Sequence, residues 1–163
     1  MKVRIGIALG QWPIKDHSAD AILDLIDYFE ALDVDSLWVS DRLVSSALIL
    51  EPVTFLAYIA GHLRKMKLGT STLVLPTRNP IVLAKELATL DFLSRGRLFP
   101  AFGLGGDESK DLLAVGVNKK ERAARADEAI RLMRLLWTEE NITFEGKFYS
   151  VQNVTIMPRP WQK

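Results

Sequence analysis

Apolar positions along this chain switch repeatedly between two spacings. Short apolar runs at Val3–Leu9, Ser36–Ser40, Lys67–Leu75 and Arg97–Leu104 have the character of strands buried in a parallel sheet. Between them lie stripes at helical spacing. The first carries Ile22, Leu25, Ile26, Phe29 and Leu32, the second Leu56, Ile59, Ala60 and Leu63, and the third Leu83, Ala84, Leu87, Ala88 and Leu90. Boundary residues agree with the stripes: Ser18 as an N-cap, Pro52 in a first turn, Asn79–Pro80 as N-cap and first helical residue, and Gly96 as a C-terminal stop. Asn118 followed by Glu121 has capping-box spacing ahead of a fourth stripe, Ala126, Ile130, Met133 and Trp137. Beyond Thr138 the period falls to two. A hairpin over Ile142–Tyr149, turning at Glu145–Gly146, and a further strand at Val154–Met157 are predicted there.

Four strands, each followed by a helix, predict an α/β fold with a parallel sheet and right-handed crossovers. Ligands in such folds bind at the C-terminal ends of the strands. Three polar clusters fall at those ends: Asp41–Arg42, Ser71–Thr72 with Thr77–Arg78–Asn79, and Gly105–Gly106–Asp107–Glu108. Neighbouring strands would bring them onto one rim. Taken singly, each has a plain alternative. Asp41 can cap a turn, Arg42 can be a solvated charge or an anion clamp beside a neutralising Asp41, and the Ser71 and Thr72 hydroxyls can serve sheet packing. Gly103, Gly105 and Gly106 can form a tight turn or let backbone approach a flat ring or a phosphate.

Composition narrows the picture further. The 163 residues are 48% hydrophobic and 25% charged, values of a single globular domain spanning 1–163. A net charge of +1 gives no reason to expect nucleic acid or a membrane surface as partner, and no apolar run reaches the roughly 20 residues of a membrane span. The expectation is a cytoplasmic protein. Cysteine is absent, which removes disulfides and thiolate metal sites. His17 and His62 are isolated, so no metal site is predicted. Trp12 is the one tryptophan placed to wall a pocket. A dinucleotide fingerprint fails, because its third glycine would fall at Glu108 and the turn follows the fourth strand rather than the first.

The chain resembles the luciferase-like monooxygenase family of flavin- or deazaflavin-dependent (β/α)8 barrels. The resemblance rests on Ser36-Leu-Trp-Val-Ser-Asp41, on Leu68-Gly-Thr-Ser71 through Asn79–Pro80, on Ala84 through Arg97, and on Gly103-Leu-Gly-Gly106. It continues in Glu121–Asp127, Leu136–Glu139 and Phe144–Tyr149. It implies a TIM-barrel type fold of which this chain holds the first four β/α units plus a small β-hairpin. It also implies an oxidoreductase that performs hydride transfer or monooxygenation on a small organic substrate, with FMN or the deazaflavin coenzyme F-420 as cofactor. Residue by residue, it assigns cofactor contact to Asp41, Ser71, Thr72, Gly105, Gly106 and Asp107, with a non-prolyl cis peptide at Ser71–Thr72. Arg42 and Asp107 fall at the catalytic positions. There, deazaflavin dehydrogenases of the family often carry histidine and glutamate, and a guanidinium cannot act as general base. A whole barrel needs about 250 residues. The 163-residue chain by itself is therefore expected to bind cofactor weakly or be inactive, and to pair as a homodimer or with a missing barrel half. The alternative reading is a non-catalytic half barrel that acts through self-association.

Overall fold

The computed structural model describes residues 3–10, 18–107 and 110–163. Trp12, His17 and Glu108, singled out above, lie outside them. Strands β1 (Gly6–Leu9), β2 (Ser36–Val39), β3 (Lys67–Val74) and β4 (Leu98–Gly103) form one parallel sheet in the order β1-β2-β3-β4. The register runs Gly6 to Ser36, Ser36 to Lys67 and Leu68 to Leu98, so the C-terminal ends of all four strands share one rim. Consecutive strand order leaves no switch point and agrees with the barrel-type expectation rather than a doubly wound one.

Helices α1 (Ala19–Ala31), α2 (Pro52–His62) and α3 (Pro80–Ser94) occupy the three connections. Their starts follow the residues that satisfy free helical N–H groups. Ser18 Oγ accepts from the Ala21 N–H, and Asn79 Oδ1 accepts from Ile81 and Val82. Ile26, Leu56, Ile59 and Leu83 from these helices meet Leu37, Leu68, Leu73 and Leu98 from the strands, all essentially inaccessible to water. Each such side chain contributes about 1.5–3 kcal/mol of burial. At the N-terminal side of the sheet, Arg97 donates to the carbonyls of Ser94 (2.9 Å), Met66 (3.2 Å) and Ala60 (2.8 Å), fastening the ends of α2 and α3 to the start of β3. His62 lies against Asp27 at 2.7 Å, linking α2 to α1 on the surface.

Several boundaries differ from the sequence reading. β1 begins at Gly6 rather than Val3, and Val3 and Ile5 stand exposed beside this outer strand. Asn118 caps a single 3-10 turn, Lys119–Glu121, before α5 (Arg122–Thr138). Glu121 turns to Arg125 at 3.3 Å instead of completing a capping box. A short helix α4 (Asp111–Ala114) and a 3-10 turn at Leu75–Thr77 carry too few residues for a periodic signal.

The hairpin is also re-registered. β5 (Ile142–Glu145) pairs antiparallel with β6 (Ser150–Val154), so the second arm lies further on than predicted, and Val154–Met157 is not a separate strand. Buried Glu128 on α5 is the cause. Its carboxylate accepts from the N–H groups of Lys147 (3.0 Å), Phe148 (2.9 Å) and Tyr149 (2.7 Å), which are thereby lost to the ladder. Burial works to raise this carboxyl, but the Phe148, Tyr149 and Lys147 donors outweigh it and hold it below its ordinary value of 4.5. A depressed acid stabilises the fold above its unfolded pKa, and that gain is lost as pH falls through the folded value. Glu128→Gln should therefore cost about 2 kcal/mol in urea unfolding at neutral pH, because its amide nitrogen faces N–H donors. The gap should narrow below about pH 4.5. A cost independent of pH would contradict this account of the hairpin.

Candidate functional site

The rim is built where strand ends give way to loops. Thr70 Oγ1 both donates to the Ala101 carbonyl and accepts from the Ala101 N–H, each at 2.9 Å. Immediately beyond it, the β3–β4 register shifts between Thr70 and Leu73. Ser71 and Thr72 fall in that irregularity, joined by a cis peptide bond, and both are exposed although Thr70 and Leu73 on either side are buried. Thr72 packs over Gly103 at the end of β4, and a Cβ at Gly103 would run into the Thr72 side chain. A side chain at 103 would force Thr72 to shift. Past Gly103 the chain turns through Gly105, with φ +81°, and Gly106, around whose Cβ position no atom lies within 4 Å. The result is an exposed patch of backbone and short side chains on β3, bordered by a loop poor in side chains. On the open face of the sheet below, the Trp38 ring crosses Gly69, and its indole N–H donates to Ser36 Oγ at 3.0 Å.

Asp41 and Arg42 part company. Asp41 is only 4% exposed at its side chain. Its Oδ2 accepts from the Val74 N–H at 2.8 Å and its Oδ1 from Arg78 Nη2 at 3.0 Å. The same guanidinium meets Glu51 Oε1 through Nη1 at 2.9 Å. Glu51 in turn caps α2, accepting from Val53 (3.2 Å) and Thr54 (2.7 Å). Burial pushes the Glu51 carboxyl up, but the Thr54 backbone N–H and hydroxyl, then Arg78 and the Val53 N–H, bring it below its ordinary value. Glu86 nearby is shifted the other way, chiefly by burial, with Arg78 opposing and Glu51 reinforcing. Arg42 is exposed and has no acceptor among the described residues, as either a solvated charge or an open anion clamp would be.

Asp107 is also committed. It is exposed and meets Arg122 Nη2 at 2.6 Å and Lys119 Nζ at 3.3 Å, while Lys119 additionally donates to its carbonyl at 2.8 Å. The Arg122 and Lys119 contacts hold its carboxyl below the ordinary range. It ties the glycine loop to the start of α5. Arg78, Glu51 and Thr70 are the rim residues to which sequence reasoning gave no role. Arg78 stood in the polar cluster Thr77–Arg78–Asn79, but nothing local pointed it at Asp41. Among the described residues no cluster of acids and histidines suited to a metal occurs, and no helix is long and apolar enough to cross a membrane.

A cavity of about 970 Å³ lies elsewhere, between the outer sides of α2 and α3, and touches the rim only through Glu51 and Arg78. It is lined mainly by residues of α2 and α3 and by no strand end, so we place the candidate site at the rim.

Comparisons with known proteins bear on this arrangement. A family model described as luciferase-like monooxygenase matches residues 2–163. An F-420-dependent glucose-6-phosphate dehydrogenase of Kineococcus radiotolerans is 38% identical over 146 residues, covering 82% of this chain and 41% of that protein. Monooxygenase RslO1 from Streptomyces bottropensis superposes with a TM-score of 0.88 at 31% identity, over 99% of this chain and 51% of its own. The oxygenating constituent of 3,6-diketocamphane monooxygenase from Pseudomonas putida, solved with FMN, gives a TM-score of 0.84 over 99% of this chain and 49% of its own; at 20% identity it speaks for the fold alone. The chain spans less than half the length of the curated relatives it matches. The fold is thus α/β of the (β/α)8 type, here as four β/α units and a hairpin.

Arg78→Met should cost about 3 kcal/mol in chemical unfolding, because it strands the buried Asp41 carboxylate on one N–H donor. Adding Asp41→Asn should recover part of that loss. Two losses that simply add would show that the pair is not coupled.

Proposed function

The chain belongs to the luciferase-like monooxygenase family, and we propose that it forms the part of an oxidoreductase that seats a flavin-type ring on the exposed Ser71–Thr72 patch of β3. The observation that carries the reading is the coincidence of three features at one strand end. These are a register break that exposes two short polar residues, a glycine on β4 over which Thr72 packs, and a following loop with open space at Gly106. A flat tricyclic ring needs such a surface: backbone and small side chains on one side, and a loop able to close on the other. The residues present therefore fit the group. Both FMN and the deazaflavin F-420 fit this description, and the relatives named above span both cofactors. When bound in its reduced form, such a ring supplies the electron pair for reducing a small organic substrate or activating oxygen.

The chain's own residues bind and orient. Ser71 and Thr72 offer hydroxyls and exposed backbone beneath the ring plane. Gly105 and Gly106 allow the 103–107 loop to approach the opposite side. Asp41 works through the protein: by holding the Val74 N–H and Arg78 it fixes the end of β3 on which the patch rests. Asp107 anchors the glycine loop through Lys119 and Arg122, and this charged pairing keeps it a carboxylate rather than a proton donor. We assign neither Asp107 nor Arg42 a proton-transfer step.

Fluorescence titration of the 163-residue chain with F-420 and with FMN tests the reading. Binding is expected to be weak, with a dissociation constant on the order of 0.1–1 mM, since only one wall of the pocket is provided. Gly106→Val places a branched side chain where the fold has room but the ring does not, and should abolish binding without loss of stability. Equal affinity in the wild type and this variant would count against the site.

A further inference from the structure

We propose that the loop between β2 and α2 selects the substrate, with Arg42 taking the anionic group of an organic molecule whose apolar body lies on Leu43 and Val44. This rests on the rim being the active end of the fold, and extends that reading to the chemistry of the substrate.

The loop is held at three points. At its first foot, Asp41 is fixed by the Val74 N–H and Arg78. At its last, Glu51 is fixed by the same Arg78 and by the α2 N–H groups it caps. One guanidinium thus closes the segment 42–50 at both ends. Between them, the Val44 N–H donates to Asp111 Oδ1 at 2.9 Å, and Asp111 is itself buried at the start of α4. Such anchoring restrains the backbone before any ligand arrives, which lowers the ordering cost of binding.

What this restrained loop presents is unusual. Leu43 is 54% exposed and Val44 44% exposed, directly after an exposed arginine. The neighbouring rim carboxylates are committed: Asp41 and Glu51 to Arg78, Asp107 to Arg122 and Lys119. Arg42 is left as a fixed positive charge without an acceptor among the described residues. A guanidinium stays protonated throughout the working pH range and grips carboxylate or phosphate through paired N–H donors. A cation beside two exposed apolar side chains matches a molecule that is apolar along most of its length and anionic at one end. A free phosphate supplies the charge without the body.

The test is a set of 1H–15N NMR titrations of the whole 163-residue chain, without redox cofactor, using benzoate, its neutral isostere benzamide, and inorganic phosphate. Benzoate should move the amides of residues 42–47 in a saturable way. Benzamide should bind about tenfold more weakly, and Arg42→Gln should weaken benzoate by a similar factor. Phosphate should shift the same amides less than benzoate does. Because Arg42 is exposed, the variant should keep the remainder of its spectrum, and Arg42→Lys should retain part of the affinity. Benzoate shifts unaffected by Arg42→Gln, or benzamide binding as tightly as benzoate, would overturn the proposal. Phosphate binding as well as benzoate would overturn its apolar half. Benzoate binding in a chain that takes up neither F-420 nor FMN would leave this inference standing and sink only the redox reading.

Discussion

Arg78 carries two carboxylates on one guanidinium, and the shape of the rim depends on that grip. Asp41 follows β2, Glu51 caps α2, and Arg78 itself follows the 3-10 turn after β3. Both ends of the β2–α2 connection and the start of α3 are thereby tied within one ion cluster at the C-terminal side of the sheet. Asp41 is nearly closed to solvent, so its charge is tolerable only with Arg78 and the Val74 N–H in place. At the opposite end of the sheet Arg97 plays a different part, satisfying three carbonyls rather than opposing charges. One arginine gathers chain ends below the core, and the other arranges the loops above it.

The patch on β3 depends on a second constraint, one of size. Thr72 can lean over β4 because position 103 has no side chain, and the Trp38 ring can cross β3 because position 69 has none. Glycine at these two places exchanges local conformational stability for close approach. The buried ladder resumes at Leu73, so the irregularity is confined to two residues at the end where ligands meet parallel sheets. A stiff sheet with one local break is the expected form of a site placed on regular elements rather than on loops alone.

Much of this was legible in the sequence because it is local. Helix and strand identity follow from spacing, and the starts of α1, α2 and α3 follow from Ser18, Pro52 and Asn79–Pro80. The convergence of the polar clusters on one rim followed from strand alternation. What spacing did not carry was which side chains distant in sequence meet. Arg42 follows Asp41 directly in sequence, yet the guanidinium that Asp41 meets is that of Arg78, 37 residues away. The hairpin arm was misplaced because Glu128, some twenty residues earlier, takes three N–H groups that a period-two pattern would give to the ladder. The candidate ring platform was reached from the sequence only through resemblance, since two exposed hydroxyl residues in a strand carry no signal of a register break.

The central claim is that the β3 patch and the loop after β4 form the two sides of one binding surface. Hydrogen–deuterium exchange of the chain with and without saturating F-420 addresses it directly. The account predicts slowed exchange confined to residues 69–74 and 103–107, on two segments that are separate in sequence but share the rim. Protection centred instead on the groove between α2 and α3, or on only one of the two segments, would contradict it.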